Sequence, residues 1–239
     1  MSPPIEIKAS LPMEIDAGEL SSPERFQREV VEACRPAIIR GLVEDWPVVQ
    51  AARSSPRTLR EYLSAFDAGQ RIEAFFGEPS IAGKYYYTAD LKAVNFERRA
   101  MKLLDAIDAI VEAVERPHAR SVYAGSVPTL QCLPGFAAGN PMPLLPDGTE
   151  PRIWLGTASS VASHYDTFDN LACVIAGRRR FTLYAPELIG RLYVGPIDNT
   201  LSGPPVSLAA STGGGQEFPL FEEVRAMALS AELEAGDAL

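Results

Sequence analysis

Apolar positions recur at two different periods along the chain, and the change falls near residue 120. In "NFERRAMKLLDAIDAIVEAVERP", Met101, Leu104, Ile107, Val111 and Val114 keep roughly helical spacing until Pro117 stops the pattern, which predicts the longest helix there. Ser21-Ser22-Pro23-Glu24 offers a capping serine, a proline in the first turn and a glutamate three places after Ser21, so a helix is expected to about Cys34. "SSPRTLREYLSAF" repeats the serine-proline start, with Leu59, Tyr62 and Leu63 on one helical face. Between these helices "PAIIRGLV" reads as a strand, and "RIEAFFG" and "GKYYYTA" read as a strand pair.

Beyond residue 120 the apolar runs shorten and glycine and proline punctuate them: "SVYAGSV", "RIWLGTA", "SSVASHYD", "NLACVIAG" and "RFTLYAP". Strands at such intervals imply an antiparallel sandwich or barrel. "GPPVSLAASTGGGQEFPL" reads as a loop, and "FEEVRAMALSAELEAG" as a last helix ending at Gly236.

Composition narrows the class. A chain of 239 residues with 46% hydrophobic and 22% charged side chains has the balance of an ordinary globular protein, and we read it as one domain. The excess of 31 acidic over 22 basic residues, net charge -9, repels phosphate backbones unless the basic groups cluster. The one tight basic run, Arg178-Arg179-Arg180, lies between apolar segments without interleaved aromatics, which argues against nucleic acid as the main partner. Cys34, Cys132 and Cys173 are far apart and form no CxxC pair, as expected of reduced thiols in a cytoplasmic protein. The acidic, proline-containing N-terminus is unlike a signal peptide, and no segment approaches the ~20 apolar residues of a membrane span.

The chemistry concentrates at His164-Tyr165-Asp166. In a strand, residues i and i+2 share a side, so His164 and Asp166 would project together. An imidazole and a carboxylate, completed by a second imidazole, form the facial triad that holds Fe(II) with open positions for substrate and oxygen. The same tripeptide is also what a half-buried histidine hydrogen-bonded to its neighbour's carboxylate would show.

The surroundings sharpen this. "IWLGTASSVASHYDTFDNLACVIAGRRRFTLYAPE" resembles the cupin-like branch of the JmjC-type Fe(II)- and 2-oxoglutarate-dependent oxygenases. Trp154, Gly156, His164, Asp166, Asn170, Gly177, Arg179, Phe181 and Pro186 stand at that family's motif positions. Upstream, "RPAIIRGLVEDWPVV" is similar to its N-terminal strand and tryptophan turn, and "SVYAGSVPTLQCLPGF" to its strand with a cosubstrate-binding tyrosine.

The resemblance implies a double-stranded β-helix (jelly-roll, cupin type) decorated with helices, mainly β, spanning 1–239. Within it, 1–120 would supply N-terminal helices and strands and 121–239 a partial jelly-roll core. It implies His164 and Asp166 as iron ligands, Tyr123 as a hydrogen-bond donor to 2-oxoglutarate, and Asn170 beside the metal. Arg179 would grip the distal carboxylate of 2-oxoglutarate, a task that suits a planar guanidinium. Read without the resemblance, Arg179 is a solvated hairpin arginine, Tyr123 a core aromatic, Asn170 a turn cap and Cys173 a packing residue; Arg178 and Arg180 keep the solvated reading.

One position departs from the family pattern: Val161 stands where relatives carry a threonine or serine that also bonds the cosubstrate. Ser160, Ser163, Thr157 and Thr182 are the candidates to compensate. The third ligand is also missing. The other histidine, His118, follows Pro117 at the exit of the long helix, a position favoured by the helix dipole rather than by a metal. The resemblance places the third histidine after Leu239, and a stop there is expected to leave a sheet edge uncovered. The partners implied are a protein side chain or small molecule as substrate, with a homodimer left open. The rival reading is a non-catalytic cupin-like binding or sensor module.

Overall fold

In the computed structural model, which describes residues 12–20 and 22–239, the chain opens with a parallel pair. Strand β1 (Met13–Asp16) lies against β2 (Ala37–Arg40). Between them α1 (Pro23–Phe26) continues as a π-helical stretch to Val31. Ser22 caps it, its Oγ accepting from the Arg25 amide at 3.3 Å; Ser21, the expected cap, lies outside the described residues. Helices α2 (Pro47–Ser54) and α3 (Pro56–Ser64) each open on a proline, and Ser55 between them caps α3 by accepting from the Thr58 amide at 3.0 Å.

The central element is an antiparallel sheet of β3 (Arg71–Gly77), β4 (Glu97–Lys102), β5 (Ser121–Pro128) and β6 (Arg152–Gly156), in the order β4-β3-β5-β6. Helix α4 (Leu103–Glu115) follows β4 directly, and the short α5 (Thr129–Cys132) and α6 (Phe136–Gly139) lead from β5 towards β6. Period-two alternation gives the sheet two unlike faces. Ile72, Ala74, Phe76, Val122, Ala124 and Val127 point one way and pack with Leu103, Ala106 and Ile107 of α4 and with Val48, Val49 and Leu63 of α2 and α3. Burial of each larger side chain there stabilises the domain by about 1.5–3 kcal/mol before entropy is counted. The other face carries Phe75, Tyr123, Trp154 and Gly156, so Tyr123, one of the expected site residues, lies on that side.

Several expected elements differ. Residues 97–102, expected to begin the long helix, form β4 instead, because they supply hydrogen-bond partners along the whole edge of β3. The guanidiniums of Arg98 and Arg99 lie over the Phe75 and Phe76 rings at 5.3 and 4.4 Å. "GKYYYTA" makes only single bridges, Lys84 with Ser160 and Tyr87 with Val94, so it is not the partner of β3. "SSVASHYD" and "NLACVIAG" likewise make isolated bridges rather than ladders.

The predicted last helix breaks in two. Helix α8 (Pro219–Val224) stops early, and Leu229–Glu234 forms a strand, β8, paired antiparallel with β7 (Arg178–Leu183). Burying Ala231 and Leu233 on one face of that ribbon outweighs the helix propensity of the alanine- and glutamate-rich sequence. The expected loop before it contains α7 (Leu208–Thr212), capped by Ser207 and ended by Gly213 at φ 86°. The last two residues are themselves paired, one on each side. Ala238 exchanges backbone hydrogen bonds with Ile39, while Leu239 exchanges them with Ala172. These sheets, with their helices, are compatible with a jelly-roll. No helix among the described residues is long and apolar enough to cross a membrane.

Candidate functional site

Tyr123 sits on the aromatic face of β5, opposite Phe75 of β3 and Gly156 of β6. Two glycines make room for its ring. A Cβ on Gly156 would lie 3.1 Å from Tyr123 Cδ2 and 2.9 Å from the Val122 carbonyl oxygen. One on Gly125 would lie 3.0 Å from Tyr123 Cε1 and 3.1 Å from its phenolic oxygen. The Tyr85 and Phe75 rings flank it at 5.7 and 6.1 Å. Burial pushes the Tyr123 phenol up to about 12, while the charge of Arg179 pulls it down and Tyr85 adds to the rise. The phenol therefore stays protonated at neutral pH and is a hydrogen-bond donor. That opposing pull also puts the Arg179 guanidinium within electrostatic reach of it.

The three consecutive arginines divide between the faces of the β7–β8 ribbon. Arg178 and Arg180 point outward and pair with the cross-strand carboxylates of Glu234 at 3.2 Å and Glu232 at 2.7 Å. Arg179 is opposite the buried Leu233, on the face where Phe181 packs with Ile38, Val174 and Ala231. Its guanidinium lies 5.6 Å from the Phe181 ring centroid, and no carboxylate among the described residues is within ion-pair distance. The Arg179 side chain is exposed, carries no ion pair among the described residues and acts on the Tyr123 phenol through its charge.

His164 is bridged to Val206, and the Ser207 amide donates to the Ser163 carbonyl at 2.7 Å, which fixes this segment without a full ladder. His164 Nδ1 lies 2.8 Å from the Ala162 carbonyl oxygen. A carbonyl only accepts, so Nδ1 is the donor, and in the neutral ring this leaves the lone pair on Nε2, the tautomer a metal-binding imidazole needs. Asp166 Oδ2 accepts from Asn170 Nδ2 at 3.2 Å, and the same amide reaches the Phe168 carbonyl at 3.3 Å. Asn170 thus both closes the turn and holds the carboxylate. All three side chains are exposed.

The expected site residues therefore fall into two pairs, Tyr123 with Arg179 and Asp166 with Asn170, and His164, bonded to the Ala162 carbonyl, joins neither through a hydrogen bond among the described residues. The donor set, an imidazole nitrogen and a carboxylate oxygen, fits two positions of an Fe(II) facial triad. Among the described residues no three His, Cys, Asp or Glu side chains converge to hold a metal ion. His118 lines a cavity of about 220 Å³ with Glu78, Arg116, Arg120 and Ser121, a cavity whose lining includes neither His164 nor Asp166.

Of the residues that could compensate for Val161, Thr157 is taken up by the Val122 backbone, its Oγ1 accepting from that amide at 3.2 Å. Thr182 shares the outward face of β7 with Arg178 and Arg180. Ser160 and Ser163 remain. Burial pushes the Cys173 thiol up to about 12, so it is protonated and packs rather than attacks. Sequence reasoning missed Gly125 and the cluster of Phe75, Tyr85 and Phe96 around Tyr123. The alternation of small and large residues in "VYAGS" was the available signal.

A sheet with one helix-covered face and one aromatic face, and a His-x-Asp pair on the connection following its last strand, define a cupin-like scaffold. Residues 23–239 match the sequence model described as Cupin-like domain, and the chain belongs to that family. It is similar to Jumonji C domain-containing protein 5 of Drosophila melanogaster, 23% identical over 261 residues that cover 99% of this chain and 57% of that protein. It is also similar to the human bifunctional peptidase and (3S)-lysyl hydroxylase JMJD7, 26% identical over 176 residues covering 70% of this chain and 52% of that protein. The chain thus spans about half the length of these curated relatives.

Proposed function

We propose that this chain forms the core of an Fe(II)- and 2-oxoglutarate-dependent oxygenase, built on a single double-stranded β-helix domain, that hydroxylates a protein side chain or a small molecule. The observation that carries the reading is Arg179, on the Leu233 face of the β7–β8 ribbon and without an ion pair among the described residues, whose charge reaches the protonated Tyr123 phenol. Together they would hold the distal carboxylate of 2-oxoglutarate, Arg179 by charge and Tyr123 by a single donated hydrogen bond. His164 Nε2 and the Asp166 carboxylate would be two of the metal's ligands, with Ala162 and Asn170 fixing their orientation. When bound, Fe(II) would supply the redox chemistry that couples oxygen and 2-oxoglutarate to insertion of a hydroxyl group. The protein's part is to orient these groups and limit water around the phenol. The hydroxylase named among the relatives supports this class, and the free thiols suit a reducing, cytoplasmic setting.

A second reading follows from the donor count. An anion seat at Arg179 and Tyr123 would lie within the described residues, whereas the proposed metal donors there number two, which suits a binding or sensor module for a small carboxylate. Calorimetric titration of 2-oxoglutarate in the presence of Fe(II) under anaerobic conditions, followed by an aerobic assay for succinate, separates the two. Binding weakened by Arg179→Ala together with succinate formation lost in His164→Ala supports the oxygenase. Binding without succinate supports the module, and no binding removes both.

A further inference from the structure

The pairing of β5 with β6 is interrupted beside Tyr123. Ala124 is opposite Leu155 and Val127 opposite Ile153, so Gly125 and Ser126 together face Trp154, a β-bulge. Ser126 adopts φ 55°, a left-handed conformation that a non-glycine residue resists. Arg152 holds it there with two hydrogen bonds, Nε to Ser126 Oγ at 2.6 Å and Nη2 to the Ser126 carbonyl at 2.8 Å. No carboxylate among the described residues pairs with Arg152, so that guanidinium is committed to the bulge. The end of the Tyr123 ring rests on the same bulge, since its phenolic oxygen would be 3.1 Å from a Cβ on Gly125.

We infer that Arg152 is a positioning residue for Tyr123: by latching the strained Gly125–Ser126 bulge it fixes the floor on which the phenol rests, and so the point from which that phenol meets an anionic ligand. The inference rests on the reading of Tyr123 as a 2-oxoglutarate contact, but its geometric part does not. Without the latch Ser126 relaxes towards an extended conformation, Gly125 shifts, and the ring loses its support. Tyr184 packs on Phe221 in a cluster that does not include Tyr123 and is not affected.

Two measurements test this. Nitration by tetranitromethane, read residue by residue by peptide mass spectrometry, needs no ligand: Arg152→Ala should raise the rate at Tyr123 about threefold and leave Tyr184 unchanged, with Arg152→Lys in between. An equal rise at both tyrosines, or at neither, overturns the inference. Equilibrium dialysis of 2-oxoglutarate with Mn(II) then gives a double-mutant cycle. Arg152→Ala should weaken binding about tenfold in the native background and less than about twofold in Tyr123→Phe. Equal losses in both backgrounds would mean that Arg152 acts on general stability and not through the phenol. If the unaltered chain binds no 2-oxoglutarate, the functional reading fails and the nitration rates alone decide the inference. Should Arg152→Ala fail to fold, Ser126→Ala, which removes only the Oγ half of the latch, carries both measurements.

Discussion

Replacing Asp237 should uncouple the end of the chain from β2. Its carboxylate accepts from the Gly41 amide through Oδ1 at 3.1 Å, and through Oδ2 from the Glu234 amide at 3.1 Å and Arg40 Nη1 at 2.7 Å. It thereby ties β2 and β8 to the turn that seats Ala238 between Ile39 and Cys173. The two backbone bonds contribute about 1 kcal/mol each. The Arg40 pair is discounted to under about 1 kcal/mol, because that guanidinium is 37% exposed and solvent screens it. Asp237→Ala should then destabilise the fold by about 2–3 kcal/mol, and Asp237→Asn, which keeps one acceptor, by about half as much. Burial alone would raise the Asp237 carboxyl, but the Glu234 and Gly41 amides and Arg40 outweigh it and hold it below the usual range. A folded value below the unfolded one means that this stability is fully present above the unfolded titration and is lost as pH falls through the folded value. Urea denaturation of the native chain and Asp237→Asn, from pH 7 downward, should show the gap between them closing with acidification. A gap that stays constant across that range, or a cost of Asp237→Ala below about 0.5 kcal/mol, would refute the reasoning.

Gly156→Ala should destabilise by about 1–3 kcal/mol in urea melts, since its Cβ would meet both the Tyr123 ring and the Val122 carbonyl, a backbone group that cannot swing aside. Arg179→Ala should weaken 2-oxoglutarate binding in calorimetry by more than about tenfold, whereas Arg178→Ala and Arg180→Ala, which remove only exposed pairs, should change stability by less than about 1 kcal/mol and leave binding intact. His164→Ala and Asp166→Ala should each abolish Mn(II) binding measured by electron paramagnetic resonance, and Asn170→Ala should weaken it about tenfold by freeing the Asp166 carboxylate.

Local pattern determined much of this protein. "RIEAFFG", "SVYAGSV" and "RIWLGTA" were legible as strands, and because successive side chains on a strand point to opposite sides, Ala74, Val122, Ala124 and Leu155 fall on one face and Phe75, Tyr123 and Trp154 on the other. Ser55-Pro56 marked the start of α3, since a capping hydroxyl and a preset φ act within a single turn. The His-x-Asp motif was legible as residue types, but the tautomer of His164 was not, because the Ala162 carbonyl that sets it depends on the path of the loop. Pairing had the same limit. Residues 97–102 carry no apolar alternation, and residues 229–234 combine alternation with good helix formers, so only their long-range partners, β3 and β7, decided that both are strands. In the run Arg178-Arg179-Arg180 the resemblance singled out Arg179, and the register with β8 gives the other two their glutamates and puts Arg179 opposite Leu233 on the other face of the ribbon. Charge compensation and the approach of Arg179 to Tyr123 arise between segments distant in sequence, and only the folded chain brings those segments together.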